Sequence, residues 1–528
     1  MKFELIDLIV FSLYCAIVIG LGLWVSREKK GVKKNSNDYF LASNALPWWA
    51  VGSSIIASNI SAEQFIGMSG SGFRMGMAIA TYELMAAFTL IIVAVVFLPI
   101  FIKKKVYTMP QFLEQRFDLR VKTILAVFWL LVFVFVNLTS ILYLGSLAIK
   151  NMMGLELVWG ILGLALFSAV YSIYGGLKAV AWTDVIQIVF LIGGGLVTTY
   201  VAFELLGYGD FFAGVKDFWI KVGPGSADNK FDMILSKDNE FYKQLPGIGV
   251  LIGGMWVANL YYWGCNQYII QRALAAKNID QAQKGLVFAG FLKLLLPLIV
   301  VVPGIIAYVL FKEGRIAITV ADDAYPTLLS LVPVGVKGLA FAALVAAIVS
   351  SLASMMNSIA TIFTMDIFKV FIKRDASETA LVKTGRITSI VALLIAIVVA
   401  PLLGNLDQAF QFIQEFTGFV SPGALAIFLA AFFYKKATAN GALAAAASSF
   451  ILSGAFKFLF PAIPFLDRMG YVFLLCLLII VVVGIVWPKP NVDKEIVLDK
   501  ELFRTSFLFK LGAVLIAMIL VLIYTVWW

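Results

Sequence analysis

A polar run interrupts an apolar stretch near the start of the chain. Residues 57–64 read ASNISAEQ, between apolar stretches at 47–56 and 65–68. A polar break at membrane depth is costly unless it faces protein or water. Breaks of this kind free backbone carbonyls that can hold ions and solutes. We therefore expect a helix that unwinds here to form a binding segment. A plain loop between two short helices is the alternative.

Two charged residues lie inside apolar runs. Lys293 stands in the segment 291–297, and Glu83 stands in the segment 80–85. Intramembrane charges are expensive and therefore indicate function, although snorkelling or a structural ion pair would also explain them. A Lys–Glu pair that lines a cavity offers a donor and an acceptor to a hydroxyl-rich solute. This chemistry favours a sugar over an amino acid, whose own charges need different partners.

Neutral amide side chains also occur within the apolar runs, and each can both donate and accept hydrogen bonds. Each one alone could bond across helices instead. Their joint occurrence favours a polar solute site. They are Gln64, Asn137, Asn259 and Gln414.

Aromatic and soft apolar residues accompany these polar groups. Tyr262 and Trp263 flank Asn259, and rings of this kind can stack on the CH faces of a sugar. Further candidates for packing against a solute or closing a cavity are Met68, Tyr82 and Phe410. Single aromatic residues are more often plain core, so these carry less weight.

Hydroxyl groups along the segment 338–363 predict a cation site. Ser350, Ser354 and Asn357 share one helical face, and Ser351 follows Ser350. Hydroxyls, together with carbonyls freed near Ala57 and Ile60, form a neutral oxygen cage that suits a hard monovalent cation. Asp184 could add negative charge nearby. Bonding of the serines to carbonyls of their own helix is the alternative. No carboxylate cluster favours a divalent ion.

The composition places this chain in a membrane. The 528 residues are 62% hydrophobic and 14% charged. Apolar runs of about 18 residues or more recur, and each is long enough to span a bilayer. We predict one all-α polytopic bundle of about fourteen transmembrane helices. The predicted spans are 5–26, 47–71, 77–101, 123–149, 156–172, 183–205, 247–265, 285–311, 338–363, 387–404, 408–434, 437–460, 469–487 and 506–527.

The net charge of +10 follows the predicted topology. With both termini extracellular or periplasmic, the inner loops carry roughly twice as many Lys and Arg as the outer segments. This distribution argues against a nucleic-acid partner. The chain has no histidine, which removes the commonest proton relay and metal ligand. It has neither a Walker A motif nor a nucleophile motif, so neither a nucleotide partner nor an enzymatic activity is expected.

A second polar and aromatic stretch, 256–264, predicts another broken helix. It lies five spans after the first break, so the two segments cross the membrane in opposite senses. This arrangement predicts two inverted repeats of five helices with a binding site between the breaks. The predicted division is 1–46 (extra helix and cytoplasmic basic loop), 47–246 (first repeat and external loop), 247–436 (second repeat) and 437–528 (three peripheral helices).

Five motifs resemble the sodium/solute symporter family, and the resemblance extends over nearly the whole chain. The sugar branch of bacterial sodium/galactose type is the most similar. The motifs are ISAEQFIGMSG (60–70), YSIYGGL (171–177), WTDVIQ (182–187), ANLYYWG (258–264) and IVSSLAS (348–354). The resemblance implies a leucine-transporter-like fold and a sodium ion as the co-transported cofactor. It also implies a multi-pass protein of the cell (inner) membrane.

The resemblance further implies a role for each matching residue. The sugar-contacting positions are Gln64, Glu83, Asn137, Asn259, Lys293 and Gln414. Tyr262 matches an inner gate, and Met68, Tyr82 and Phe410 match an outer gate. The sodium site matches the carbonyls of Ala57, Ile60 and Ala347 and the hydroxyls of Ser350 and Ser351. Asp184 matches an acid on the ion's exit route, and Asn59 links the sodium site to the gate.

Two positions bear on selectivity and stoichiometry. Ala86 stands where the family resemblance implies a small hydroxyl residue, and an alanine there removes a peripheral sugar contact. A second sodium site would need hydroxyls at both 353 and 354, and residue 353 is alanine. We therefore expect one sodium ion per sugar.

The leading hypothesis is sodium-driven symport of a hexose, galactose or glucose, across the lipid bilayer by alternating access. A proton-coupled symporter that uses Glu83 or Asp184 is the first alternative. A membrane solute sensor that does not transport is the second. A passive channel is poorly suited to a gated site between two broken helices.

Overall fold

The computed structural model describes residues 4–27, 34–404, 413–415, 417–488, 496 and 500–528, and these form helices joined by turns. Within these ranges, extended pairing is limited to one bridge between Leu46 and Ala276. The predicted all-α class is therefore confirmed.

In the first half of the chain the α-helices are α1 (Leu5–Ser26), α2 (Ser36–Leu41), α3 (Trp48–Asn59), α4 (Ser69–Met75), α5 (Thr81–Ile92), α6 (Leu98–Lys104), α7 (Met109–Arg116), α8 (Leu119–Val132), α9 (Thr139–Met153), α10 (Leu157–Gly175), α11 (Leu177–Leu206) and α12 (Phe211–Val222). In the second half they are α13 (Ile248–Ile252), α14 (Gly254–Leu260), α15 (Gln267–Leu274), α16 (Ile279–Leu296), α17 (Val302–Lys312), α18 (Ala324–Leu331), α19 (Val336–Ile362), α20 (Glu378–Val399), α21 (Ser421–Phe433), α22 (Ala439–Leu459), α23 (Phe465–Val486) and α24 (Phe507–Val526).

Short π-helical segments join several of these helices. They widen the backbone without ending the helix, and such segments are frequent at functional sites. The π segments are Glu63–Met68, Val93–Phe97, Phe133–Leu138, Tyr261–Cys265, Pro297–Val301 and Phe363–Ile372. Tight 3₁₀ turns occupy Ala42–Asn44, Gly76–Ala80, Ala321–Asp323, Ala400–Leu403 and Lys500–Phe503.

Eleven helices of the described residues are long and apolar enough to cross a membrane. They are Leu5–Ser26, Glu63–Lys104, Leu119–Lys150, Leu157–Gly175, Leu177–Leu206, Ile279–Lys312, Val336–Ile372, Glu378–Leu403, Ala439–Leu459, Phe465–Val486 and Phe507–Val526. The predicted span 47–71 is divided at the break, and 247–265 is divided into shorter helices. The predicted span 408–434 is described from Ser421 as a 13-residue helix. The described residues therefore form a polytopic helical bundle.

Helices α3 and α19 occupy the centre of the bundle. Every residue of α3 from Ala50 to Asn59 is buried, and α19 is buried along nearly its whole length. Helix α3 packs against α11, α15, α16 and α19, and α19 also packs against α1 and α10. The polar faces of α3 and α19 therefore meet each other instead of lipid or water.

The segment between α11 and α13 packs onto the helices next to the first break. The turn at Gly76 has φ +70°, and the Met77 amide donates to the Lys230 carbonyl at 2.7 Å. A Cβ atom at Gly76 would lie 2.3 Å from that carbonyl oxygen, so a glycine is required there. The Met233 amide also donates to the Trp527 carbonyl at 3.0 Å. This segment therefore fastens α4, α5 and α24 together.

Glycine contacts bring α3 and α16 unusually close. A Cβ atom on Gly52 would lie 2.5 Å from the Gly285 carbonyl oxygen, and one on Gly285 would lie 2.8 Å from the Val51 side chain. Small residues at such contacts let membrane helices approach backbone to backbone. This approach fixes the position of the first broken helix against the helix that carries Lys293.

Gly52→Ala should therefore destabilise the protein, because the contact is with backbone, which cannot rotate away. We expect a loss of about 2 kcal/mol in the free energy of unfolding, as for other overpacked cores. The measurement is the thermal unfolding midpoint of the purified protein in detergent. Gly163→Ala is the control, since its Cβ meets nothing within 4 Å. Equal midpoints for the two variants would contradict the expectation.

Candidate functional site

The first predicted break is confirmed, and it lies at Ile60. Helix α3 ends at Asn59, Ile60 adopts extended angles (φ −76°, ψ 121°), and the chain resumes as a π-helix at Glu63. The Gln64 side-chain oxygen accepts from the Ser61 amide at 2.9 Å and from the Ser61 hydroxyl at 3.3 Å. The break is therefore held in a defined shape by its own polar residues.

Lys293 and Glu83 form the predicted ion pair. Their side chains are only 1% and 4% exposed, so the pair is shielded from water. The Lys293 ammonium also donates to Asn59 Oδ1 and lies 4.9 Å from the centre of the Trp263 ring. Because a buried ammonium needs several acceptors, this arrangement ties α16, α5 and the end of α3 together.

Asn59 connects this ion pair to Tyr262. While its oxygen accepts from Lys293, its Nδ2 group donates to the Tyr262 hydroxyl at 2.8 Å. The Tyr262 hydroxyl also bonds to the hydroxyl of Tyr268. A continuous hydrogen-bond chain therefore runs from Glu83 through Asn59 to the two tyrosines.

The second predicted break is displaced from its predicted position. The prediction put it within 256–264, but these residues are helical in α14 and the following π segment. The chain leaves helical geometry at Gly253 (φ −115°, ψ −135°) and at Asn266 (φ −84°, ψ 123°), on either side of the stretch. The Asn259 amide donates to the Met255 carbonyl and its oxygen accepts from Trp263, so its polar groups support the helix.

A cavity of about 580 Å³, counting the part open to solvent, lies beside the two broken segments. Its lining combines amides, carboxylates, one ammonium, hydroxyls and aromatic rings. The residues are Asn59, Glu63, Gln64, Tyr82, Glu83, Ala86, Ala258, Asn259, Tyr262, Trp263, Lys293, Gln414, Thr417, Ser421 and Met469. Such a wall can hydrogen-bond a hydroxyl-rich solute and also stack against it.

Five of the six predicted sugar-contacting side chains line this cavity. Asn137 lines a neighbouring cavity of about 540 Å³, which shares Asn59, Tyr262 and Gln414 with the first. Of the predicted outer-gate residues, Tyr82 lines the first cavity, and Met68 is fully buried without lining either one. Phe410 lies outside the described residues. The two cavities meet at Tyr262, so this ring is positioned to separate them.

The predicted ion residues are buried next to the first break. The Ser351 hydroxyl donates to the carbonyls of Ser58 (2.9 Å) and Ile60 (3.0 Å). The side chains of Ala57 and Ala347 are fully buried in the same core. Hydroxyl and carbonyl oxygens that approach one another this closely can turn toward a common cation.

Ser350 has a different partner from Ser351. Its hydroxyl donates to one oxygen of Asp184, and Ser54 donates to the other, both at 2.5 Å. Asp184 is fully buried, so these two bonds stabilise a carboxylate that water does not reach. Ser354, on the same face of α19, bonds to the Ser58 hydroxyl at 2.7 Å. The polar face of α19 therefore extends from the break toward Asp184.

Sequence reasoning missed several residues of the site. Glu63 belongs to the opening polar run and lines both cavities, and its carboxylate was a signal that could have been used. Tyr268, six residues after Tyr262, joins the same hydrogen-bond chain. The residues of the cavity wall that had no local signal are Thr417, Ser421 and Met469.

Comparisons with known proteins agree on one family. The profile described as "Sodium:solute symporter family" matches residues 39–448. The "Sodium/glucose cotransporter" of Vibrio parahaemolyticus is 54% identical over 538 residues, which cover 99% of this chain and 98% of that one. The human "Sodium/myo-inositol cotransporter 2" is 34% identical and covers 83% of this chain and 67% of its own.

A solved structure confirms the fold. A sodium-coupled sialic acid symporter in an outward-open, substrate-bound state superposes with a TM-score of 0.80. The alignment covers 93% of this chain and 99% of that chain at 23% identity. At 23% sequence identity, this similarity supports a shared fold and carries no conclusion about the substrate.

Glu83→Gln should destabilise the protein, because it leaves the Lys293 ammonium buried without its counter-charge. We expect a loss of about 3 kcal/mol in the free energy of unfolding. The double variant Glu83→Gln/Lys293→Met should recover most of this loss, because both charges are then removed. The measurement is the thermal unfolding midpoint in detergent. Additive losses in the double variant would show that the two charges do not stabilise each other.

Proposed function

The chain belongs to the sodium:solute symporter family, and on this premise we propose that it takes up a hexose, galactose or glucose, together with sodium by alternating access. The protein is a multi-pass transporter of the inner membrane and not an enzyme. Its partners are the sugar, the sodium ion and the lipid bilayer.

One observation carries this proposal. Two consecutive residues of the unwound segment contact the proposed sugar site and the proposed sodium site. Asn59 bonds to Lys293 and Tyr262 on the sugar side. The Ile60 carbonyl accepts from Ser351 on the sodium side. Any ligand that changes the shape of this segment therefore acts on the other site as well. Coupling of two ligands requires that both prefer the same conformations.

The sodium ion binds to neutral oxygens at the break. Its ligands are the carbonyls of Ala57, Ile60 and Ala347 and the hydroxyls of Ser350 and Ser351. The hydrogen that Ser351 donates to Ile60 can rotate away, which leaves both oxygens facing a cation. Asp184 lies beyond Ser350 and supplies negative charge on the exit route.

The sugar binds in the 580 Å³ cavity. The Lys293 ammonium donates to sugar hydroxyls and Glu83 accepts from them, so the charges that stabilise the protein also orient the solute. Amides complete the contacts, and Ala86 leaves one side of the cavity apolar. The amide residues are Gln64, Asn137, Asn259 and Gln414.

Two gates separate this cavity from the two sides of the membrane. Tyr262 is the inner gate, and it is held by Asn59 and Tyr268 at the boundary between the two cavities. Met68, Tyr82 and Phe410 form the outer gate. Sodium favours the outward-open state, and the sugar then closes the outer gate.

The chain is organised as two inverted repeats, 47–246 and 247–436, with an extra helix before them and three after them. Fourteen helices cross the membrane, and both termini are extracellular or periplasmic. The observed breaks at Ile60 and Asn266 support this division, because an inverted pair of repeats requires a broken helix in each repeat.

Uptake measurements in proteoliposomes test the proposal. An inward sodium gradient should drive accumulation of labelled galactose or glucose, and potassium in place of sodium should abolish it. Each sugar should compete with the other for uptake.

Equal uptake with potassium would overturn sodium coupling, and uptake driven by a pH gradient alone would establish a proton-coupled transporter. Binding of the sugar without accumulation would indicate a sensor.

Ser351→Ala should weaken sodium activation while sugar contacts stay intact. We expect the half-saturating sodium concentration to rise about tenfold, which corresponds to about 1.4 kcal/mol for a lost ligand. The measurement is sugar uptake as a function of sodium concentration.

Lys293→Ala should instead abolish uptake and keep sodium binding.

Ser146→Ala is the control for Ser351→Ala, because among the described residues the buried Ser146 hydroxyl bonds only to the Leu142 carbonyl of its own helix. Its sodium activation should match that of the unmodified protein. A Ser351→Ala variant with unchanged sodium activation would remove Ser351 from the sodium site.

A further inference from the structure

Arg272 is a buried charge that neither cavity uses. It lies in α15, and its side chain is fully buried. One guanidinium nitrogen, Nη1, donates to the Tyr268 carbonyl of the preceding turn, while Nε and Nη2 have no hydrogen-bond partner among the described residues. A buried cation with unmet donors is expensive, so a purely structural role explains it poorly.

The chain uses another buried arginine in a purely structural way. Arg116 is also nearly fully buried, but all three of its guanidinium nitrogens donate to main-chain carbonyls. The acceptors are Ala431, Tyr434, Lys435 and Ala437. Arg116 therefore provides a comparison within the same protein: a buried arginine whose guanidinium nitrogens all have hydrogen-bond acceptors and which stabilises the fold.

Asp184 is the acidic group that we pair with Arg272. Helix α15, which carries Arg272, packs against α3 and α19, the two helices whose Ser54 and Ser350 hold Asp184, and both charges are shielded from water. In the part of the chain that the structure describes, the Asp184 oxygens accept from Ser54 and Ser350, and no hydrogen bond joins Asp184 to Arg272. Within a low-dielectric interior such a pair interacts over a longer distance than it would in water.

Arg272 is also connected to the inner gate. Helix α15 begins directly after the break at Asn266, and its Tyr268 bonds to Tyr262. Gln271 fastens the helix to α19 through Thr361 (2.9 Å) and Ser358 (3.1 Å). A movement of Tyr262 is therefore transmitted to the helix that positions the guanidinium.

We propose that Arg272 is a built-in counter-charge to Asp184 that lowers the affinity for sodium and promotes release of the ion toward the cytoplasm. While sodium is bound, the ion and the guanidinium compete for the negative charge of Asp184. When the ion leaves, the two unpaired donors of Arg272 allow it to approach Asp184 and neutralise the vacated region. Arg272 is thus a positioning residue, and its role rests on the proposed sodium coupling.

The test is equilibrium binding of radioactive sodium to the purified protein, combined with thermal unfolding. Arg272→Gln should bind sodium about fivefold more tightly, at the lower end of typical coupling between sites. Its unfolding midpoint should be unchanged or higher, because a poorly satisfied buried charge is removed. Arg272→Lys keeps the charge, so its sodium affinity should stay within about twofold of the unmodified protein.

Arg116→Gln is the matched control, since it removes a buried arginine whose donors are satisfied. It should lower the unfolding midpoint and leave sodium affinity unchanged. A double variant tests the partner. In an Asp184→Asn background, Arg272→Gln should change sodium affinity by less than about twofold, because the charge that it neutralises is gone.

A lower midpoint with unchanged sodium affinity in Arg272→Gln would overturn the proposal, and so would failure of both Arg272→Gln and Arg272→Met to fold. An unmodified protein that binds no sodium would overturn sodium coupling itself, and the role of Arg272 with it. Normal sodium binding in the unmodified protein and an unchanged affinity in Arg272→Gln would reject only the role of Arg272.

Discussion

The carbonyl groups freed where α3 ends must find partners inside a membrane, and the rest of the site depends on how they do so. The Ser351 hydroxyl reaches the carbonyls of Ser58 and Ile60 from the neighbouring α19. Because this contact is made by a different helix, the shape of the break depends on the relative position of α3 and α19. A change in either helix therefore changes the oxygens that are available to the proposed sodium ion.

Buried charge is used in two different ways around this break. Lys293 and Glu83 satisfy each other, and with Asn59 they hold three helices at the cavity. Asp184 accepts from Ser54 and Ser350, whereas two nitrogens of the buried Arg272 have no hydrogen-bond partner among the described residues, which makes the proposed interaction between the two charges sensitive to a further charge. A satisfied pair stabilises one conformation, whereas an incompletely paired one favours a change of state when an ion arrives or leaves.

Much of the site was predictable because its signals are local. The break near residue 60 follows from polar residues in an apolar run, and Lys293 and Glu83 stand out because charges are rare at membrane depth. The predicted position of the second break was wrong, since Asn259 and Trp263 use their polar groups to support the helix and the chain departs from it on either side, at Gly253 and at Asn266. Thr417, Ser421 and Met469 carry no local signal, and they line the cavity only because their helices pack beside it.

The sequence by itself determined that this chain is a helical membrane protein with a polar break, and its resemblance to a family predicted which residues bind the ligands. Hydropathy, helix length and the cost of intramembrane charge act on neighbouring residues, so they can be read without a structure. Only the tertiary structure decided that Asn59 joins Lys293 to Tyr262, that Asn137 lines the second cavity, and that Ser350 faces Asp184. These pairings depend on how helices distant in sequence rotate and pack against each other, which no local pattern specifies.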